Sequence, residues 1–319
     1  MKKTILTFVV GVMTVMTAKA VDAEGRVVVA ADGTGDYATL SEAVRKVRGD
    51  FDEPTVIYVK NGVYKEKVVI NATVNNLTIE GESAEGVVIT YGDYASLNNM
   101  GTSGSYTMKI EGNNVTLRNV TIENSAGPVG PAVAMHTIGD RITFVNCRFL
   151  GNQDTLYTGG RNARLFFDEC YVEGTTDFIF GSATALFRHC LIHGKANSFI
   201  TAASTARENP VGYVFADCTV TSAEGVDRLY LGRPWRPYAS TAFIGCTLPA
   251  SICPEGWNNW GNAANEKTAR YAEYGSKGEG ASPETRAKWT TTLSEGEAAW
   301  LTDPAMIFTR ALTWDCRSL

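Results

Sequence analysis

The chain has 319 residues, 44% of them hydrophobic and 20% charged, which is globular composition on a chain long enough to bury a large core. Its formal net charge of −5 argues against a nucleic-acid-binding protein but leaves an acidic polysaccharide open, because an esterified uronate is locally neutral. Thirty-one glycines and few long helical patterns favour β structure.

The N-terminus reads as an export signal. Lys2 and Lys3 precede an apolar run from Ile5 to Met16, and Ala18-Lys19-Ala20 fits a small-residue cleavage site. The run is too short to span a bilayer comfortably, and no later segment looks transmembrane. Residues 1–20 are therefore expected to be removed. Residues 21–319 are expected to form one exported domain, periplasmic or secreted, with no membrane insertion.

SEAVRKVR (Ser41 to Arg48) predicts a short helix placed to cap one open end of the fold. Beyond it the chain repeats. Five cysteines, Cys147, Cys170, Cys190, Cys218 and Cys246, each have a phenylalanine three residues earlier: Phe144, Phe167, Phe187, Phe215 and Phe243. Each has an apolar residue two later: Phe149, Val172, Ile192, Val220 and Leu248. Val120 and Leu77 read as aliphatic counterparts of the cysteines in earlier coils. From Val120 onward the intervals are 27, 23, 20, 28 and 28 residues. Short strands with period-two alternation at this spacing suit a parallel β-solenoid, whose coils bury their inner faces by stacking. The cysteines are expected to be a buried column of thiols, without metal-type CxxC spacing. Cys253 and Cys316 lie outside the column, and the sequence leaves their pairing open. A second helix is predicted near Ser294 to Ala299, towards the other end, after a loop-rich stretch from Asn258 to Lys288.

The repeat also aligns chemistry. Asp154 and Asp177 each lie seven residues after a column cysteine, which sets them on neighbouring coils about 4.8 Å apart. Two carboxyls that close share a proton, so one can start as acid and the other as anion. Tyr157 and Phe180, each ten residues after the cysteine, should stack into an aromatic platform suited to a sugar ring. The three histidines, His136, His189 and His193, read as structural or surface residues.

Several strings then resemble one family. GVYKEKV (Gly62 to Val68), GNQDTLY (Gly151 to Tyr157), DFIFG (Asp177 to Gly181), LGRPW (Leu231 to Trp235) and PEGW (Pro254 to Trp257) occur in the order found in pectinesterases, carbohydrate esterases, and the resemblance runs from about Ala30 to Tyr274. The chain looks like the secreted bacterial type. The resemblance implies an all-β fold: a right-handed parallel β-helix with a short N-terminal capping helix and a C-terminal helical and loop extension. It implies hydrolysis of methyl-esterified homogalacturonan to pectate and methanol, by a monomer, with no metal or organic cofactor. Asp177 would be the nucleophile, Asp154 the acid and base, Gln153 the oxyanion donor, and Arg233 the partner that orients Asp177. Trp235, Tyr157, Phe180 and Trp257 would line the sugar cleft, with Thr102 as a further substrate contact. One departure stands out: Pro131-Ala132-Val133-Ala134-Met135 occupies the place of the family's QAVAL-like segment, so Pro131 replaces a glutamine expected to help the oxyanion.

Other readings share the fold. Polygalacturonases and pectate lyases are β-helices too, but no adjacent Asp-Asp pair and no carboxylate-rich calcium site is evident. A serine esterase lacks its G-x-S-x-G elbow. A polysaccharide-binding protein descended from an esterase is the non-enzymatic alternative, suggested mainly by Pro131.

Overall fold

The computed structural model describes residues 26–46, 55–308 and 316. The signal-like residues 1–20, and Val47 and Arg48 of the first predicted helix, lie outside the described residues.

Among the described residues, the strands form three parallel sheets of 11, 7 and 7 strands, and each strand inside a sheet pairs with its counterpart one coil before and one coil after. The chain is a parallel β-helix. The core runs along its axis: Phe144, Phe167, Phe187, Phe215 and Phe243 are fully buried, and successive rings stack at 4.3–4.7 Å between centroids. The five column cysteines are buried free thiols, as is Cys253, and Cys316 is also buried. Each column thiol from Cys170 to Cys246 donates to the carbonyl of the phenylalanine one coil earlier, from Cys170 Sγ to Phe144 O at 3.5 Å through Cys246 Sγ to Phe215 O at 3.4 Å.

The sharp corner before each cysteine has a local cause. The preceding residue adopts the left-handed conformation in every case: Asn146 (φ 49°), Glu169 (55°), His189 (54°), Asp217 (52°) and Gly245 (65°). Asn119 (φ 54°) does the same before Val120, and Asn146 Nδ2 donates to Asn119 Oδ1 at 2.8 Å, so the corner is also laddered by side chains. Leu77 does not belong to this series. It pairs with Val115 at the start of a strand in the 11-stranded sheet, at the far end of that strand from the corner expected. The register instead sets Val87 before Val88, which pairs with Thr121, at the level of Val120. The connection between Gly81 and Val87 is a multi-residue turn rather than a one-residue corner, and this displaced the apparent repeat.

Helix α1 (Leu40–Lys46) buries Leu40, Ala43 and Val44 against the first coils. Its N-terminus is capped from outside: the Glu66 carboxylate accepts from Leu40 N at 2.8 Å and Ser41 N at 2.9 Å. The Tyr64 hydroxyl donates to Lys60 O at 2.7 Å. The tyrosine and glutamate of GVYKEKV therefore hold the entrance to the fold. Helix α2 (Glu295–Thr302) begins with a capping box of Ser294 and Glu297, and α3 (Pro304–Ile307) comes directly after it. These C-terminal elements lie along the outer face of the 11-stranded sheet. There Ala298, Ile307, Phe308 and Cys316 cover Phe166, Leu186, Val214 and Ile244. Arg164, 3% exposed, forks onto Asp140 and donates to Phe308 O at 3.1 Å, which pins that segment.

Candidate active site

The site is carried by the seven-stranded sheet whose strands run from Val68–Ile70 to Tyr230–Pro234. Its register builds two columns. In one, Lys109, His136, Tyr157, Phe180, Ala202 and Arg233 are paired in succession. In the other, three residues upstream, Asp154, Asp177 and Phe199 follow from the pairing of Leu156, Ile179 and Thr201, and Phe199 pairs with Tyr230. The two aspartates thus occupy one position on adjacent coils, the arrangement their spacing from the cysteines implied. Both take the left-handed backbone, φ 65° at Asp154 and 50° at Asp177, which swings each side chain out at a corner.

Asp177 is 6% exposed and is held by Arg233, whose Nε donates to Oδ1 at 2.9 Å and Nη2 to Oδ2 at 2.7 Å. Arg233 reaches back across Ala202, whose methyl group leaves the space between Phe180 and Arg233 open. Gly232 is needed for the approach of the two coils, since a Cβ there would lie 1.9 Å from Thr201 Oγ1. Burial raises the Asp177 carboxyl, and the hydrogen bonds and charge of Arg233 hold it back. For Asp154, burial first and then the Asp177 charge push the carboxyl up to about 7, against a weaker downward pull from Arg233. A shared proton therefore rests on Asp154, the member without a guanidinium fork.

A cleft of about 500 Å³ opens over the pair, lined by Thr102, Ser103, Gln153, Tyr157, Phe180 and Trp235, with Ala202, Arg233 and Trp260. Tyr157 and Phe180 stack at 4.3 Å, and Trp235 meets Phe180 edge-on at 5.9 Å. His136 extends the stack on the other side of Tyr157 at 4.2 Å; burial, with Lys109 nearby, lowers its imidazole to about 4, so it is neutral near pH 7. The loop carrying Thr102 and Ser103 is tied down by buried Asn124, whose Nδ2 donates to Asp93 O, Ser105 O and Val133 O at 2.8–3.0 Å.

The structure brings Asp154, Asp177, Gln153, Arg233, Trp235, Tyr157, Phe180 and Thr102 to this one cleft. It does not bring Trp257. That ring is 2% exposed, packs between Phe243 and Tyr271, and donates Nε1 to Glu273 Oε1 at 3.0 Å. The tryptophan of this stretch that lines the cleft is Trp260, three residues on, and its ring lies 3.8 Å from the Arg233 guanidinium. Pro131 is not among the cleft-lining residues; it lies next to Gln153, since Ala132 N donates to Gln153 O at 3.1 Å.

The Pectinesterase family profile matches residues 26–309. The chain belongs to the pectinesterase family. It is 38% identical over 281 residues to Pectinesterase 31 of Arabidopsis thaliana, covering 85% of this chain and 88% of that one. It is 40% identical to the putative pectinesterase/pectinesterase inhibitor 38 of the same plant, over 82% of this chain and 57% of that longer protein. Pectin methylesterase from carrot superposes with a TM-score of 0.84 at 31% identity, over 88% of this chain and 92% of the other. A pectin methylesterase in complex with a hexasaccharide superposes at 0.77 and 27% identity, over 91% and 98% of the two chains. The chain is accordingly a carboxylic ester hydrolase with pectin methylesterase activity.

Proposed function

We propose that the chain hydrolyses the C6 methyl esters of homogalacturonan with Asp177 as nucleophile and Asp154 as acid and base. The observation that carries this reading is the in-register pair of aspartates, one forked by Arg233 and the other, among the described residues, without a guanidinium fork. An Asp177 oxygen attacks the ester carbonyl. The carbonyl π electrons move to oxygen, and Gln153, which lines the cleft, donates to that oxyanion. The tetrahedral adduct collapses, the C–OCH₃ bond breaks, and Asp154 gives its proton to the departing methoxide to form methanol. Asp154, now a carboxylate, takes a proton from water. The hydroxide attacks the acyl carbon, Asp177 leaves as a carboxylate, and Asp154 is protonated again. The net change is ester plus water to uronic acid plus methanol.

A polymer of partly methylated galacturonate fits a cleft lined by stacked aromatic rings. The hexasaccharide complex of the related pectin methylesterase supports an oligosaccharide as ligand here too. Export to the periplasm or the medium belongs to the same proposal and rests on the signal-like residues 1–20. The relatives named with their organism are plant proteins, so they support the family and add nothing for a bacterial type.

Methanol release from highly methylated pectin is the test. The wild-type protein should yield methanol without shortening the polymer, and Asp177→Asn should lose at least about 10³-fold in rate while its melting curve stays cooperative. Unsaturated ends would indicate a lyase, new reducing ends a glycosidase, and binding without methanol a carbohydrate-binding protein.

A further inference from the structure

Phe199 occupies the place after Asp154 and Asp177 in their column and touches both members of the Asp177–Arg233 pair. Its carbonyl accepts the Asp177 N–H at 2.8 Å. Its ring centroid lies 3.9 Å from the Arg233 guanidinium carbon, and the Trp260 ring lies 3.8 Å from the same carbon. Neither its side chain nor its backbone lines the cleft, and it belongs to none of the buried apolar clusters. The ring is half-buried, and behind it stands Tyr230, its strand partner, stacked at 5.2 Å and 24°.

We propose that Phe199 is a positioning residue for ester hydrolysis: it is the fixed wall that holds the Arg233 guanidinium in the plane of the Asp177 carboxylate. The inference rests on the reading of Asp177 as nucleophile. Arg233 has a flexible stem and, at the edge of a cleft, would otherwise sample several rotamers. A fork onto a carboxylate survives only if the guanidinium plane is fixed, and two aromatic faces fix a plane. The two faces differ in rigidity. Trp260 is 36% exposed, in a loop, with positive φ. Phe199 is in a strand hydrogen-bonded on both sides, so it defines the position and Trp260 closes over it. The column explains why an aromatic residue is wanted there. A third carboxylate would raise its neighbours further, and an aliphatic side chain offers no π face to a cation.

The test compares Phe199→Met, which keeps apolar bulk and loses the ring, with Phe199→Tyr, which keeps the ring. Initial rates of methanol release on methylated pectin are measured across pH, beside thermal melts. Phe199→Met should lower kcat about tenfold with KM changed less than about twofold. The acid limb of kcat/KM should move to higher pH as Asp177 loses its cation. Phe199→Tyr should recover most of the lost turnover and the original limb. Phe199→Leu takes the place of the methionine variant if that protein does not fold. A folded methionine or leucine variant with wild-type kcat and acid limb overturns the inference, as does an equal loss in the tyrosine variant. Asp177→Asn separates the two readings. If it retains full activity, the nucleophile assignment itself fails; if it is inactive while Phe199→Met is normal, only the role of Phe199 fails.

Discussion

Arg233 meets Asp177 edge to edge, Nε to Oδ1 at 2.9 Å and Nη2 to Oδ2 at 2.7 Å, and among the described residues no guanidinium forks onto Asp154 one coil away. This asymmetry divides two chemically identical groups into an anion and an acid. It also fixes the sign of the pH dependence. The first step needs Asp177 ionised and Asp154 protonated. The free enzyme should therefore lose kcat/KM above about pH 7, as Asp154 deprotonates, and again at low pH, as Asp177 takes a proton. A kcat/KM profile that stays flat from pH 6 to pH 9 would remove Asp154 as the acid.

The same displacement makes Asp154 a liability for the fold. Its carboxyl sits above the ordinary 3.8, so between that value and about 7 the native state binds a proton that the unfolded chain has released. Stability is then highest at low pH with respect to this group and falls as pH rises through the window. Asp154→Asn removes the penalty, and asparagine tolerates the left-handed backbone at this position. The variant should be inactive yet melt higher than wild type at pH 8, by on the order of 2 kcal/mol, a figure discounted because the carboxyl keeps some contact with solvent. The gain should vanish near pH 4. Equal melting temperatures at pH 8 would show that burial does not strain this carboxyl.

Much of this was legible in the sequence because the solenoid repeats. Phenylalanine and cysteine columns mark each coil, and once coils are aligned, Asp154 must face Asp177 and Tyr157 must face Phe180. What the alignment could not supply was the length of each corner. Leu77 was out of register because the turn from Glu82 to Gly86 is longer than the one-residue corners at Asn146 or Glu169. The run of Asn, Glu, His, Asp and Gly immediately before the pivots was the available signal for those corners. Roles that depend on side-chain contact between neighbouring coils were harder still. Ala202 matters by being small, and Phe199 by standing behind an arginine 34 residues later.

The two tryptophans of GWNNW illustrate the limit and provide a test. Only the partner separates them: Trp257 finds Glu273 and the core, and Trp260 finds Arg233 and the cleft. Trp257→Ala should destabilise the protein by about 3–5 kcal/mol, chiefly through the cavity it leaves. Trp260→Ala should leave stability within about 1 kcal/mol and instead weaken substrate binding and turnover. Thermal melts and Michaelis parameters on the two purified variants decide it; the reverse pattern would mean that the loop from Asn258 onward is placed differently in solution.

Pro131 offers a gain of function. It sits one coil before Gln153, its carbonyl accepting Ala95 N–H at 2.8 Å while the next residue, Ala132, donates to Gln153 O at 3.1 Å. Residue 131 is thus tied to the backbone that presents the proposed oxyanion donor. Proline brings neither a side-chain amide nor a backbone N–H, so a glutamine would add donors within one side chain's length of Gln153. Pro131→Gln should raise turnover on methylated pectin, approaching roughly 10²-fold if a full oxyanion donor is restored, and less if water already serves. The same change frees the unfolded chain, so stability should fall by about 0.4–1 kcal/mol. The opposed signs make the result readable. A faster, slightly less stable enzyme is what a restored donor requires, whereas unchanged turnover in a folded variant assayed below saturation would leave Pro131 as a backbone anchor for the Ala95 loop and Gln153 as the sole side-chain donor.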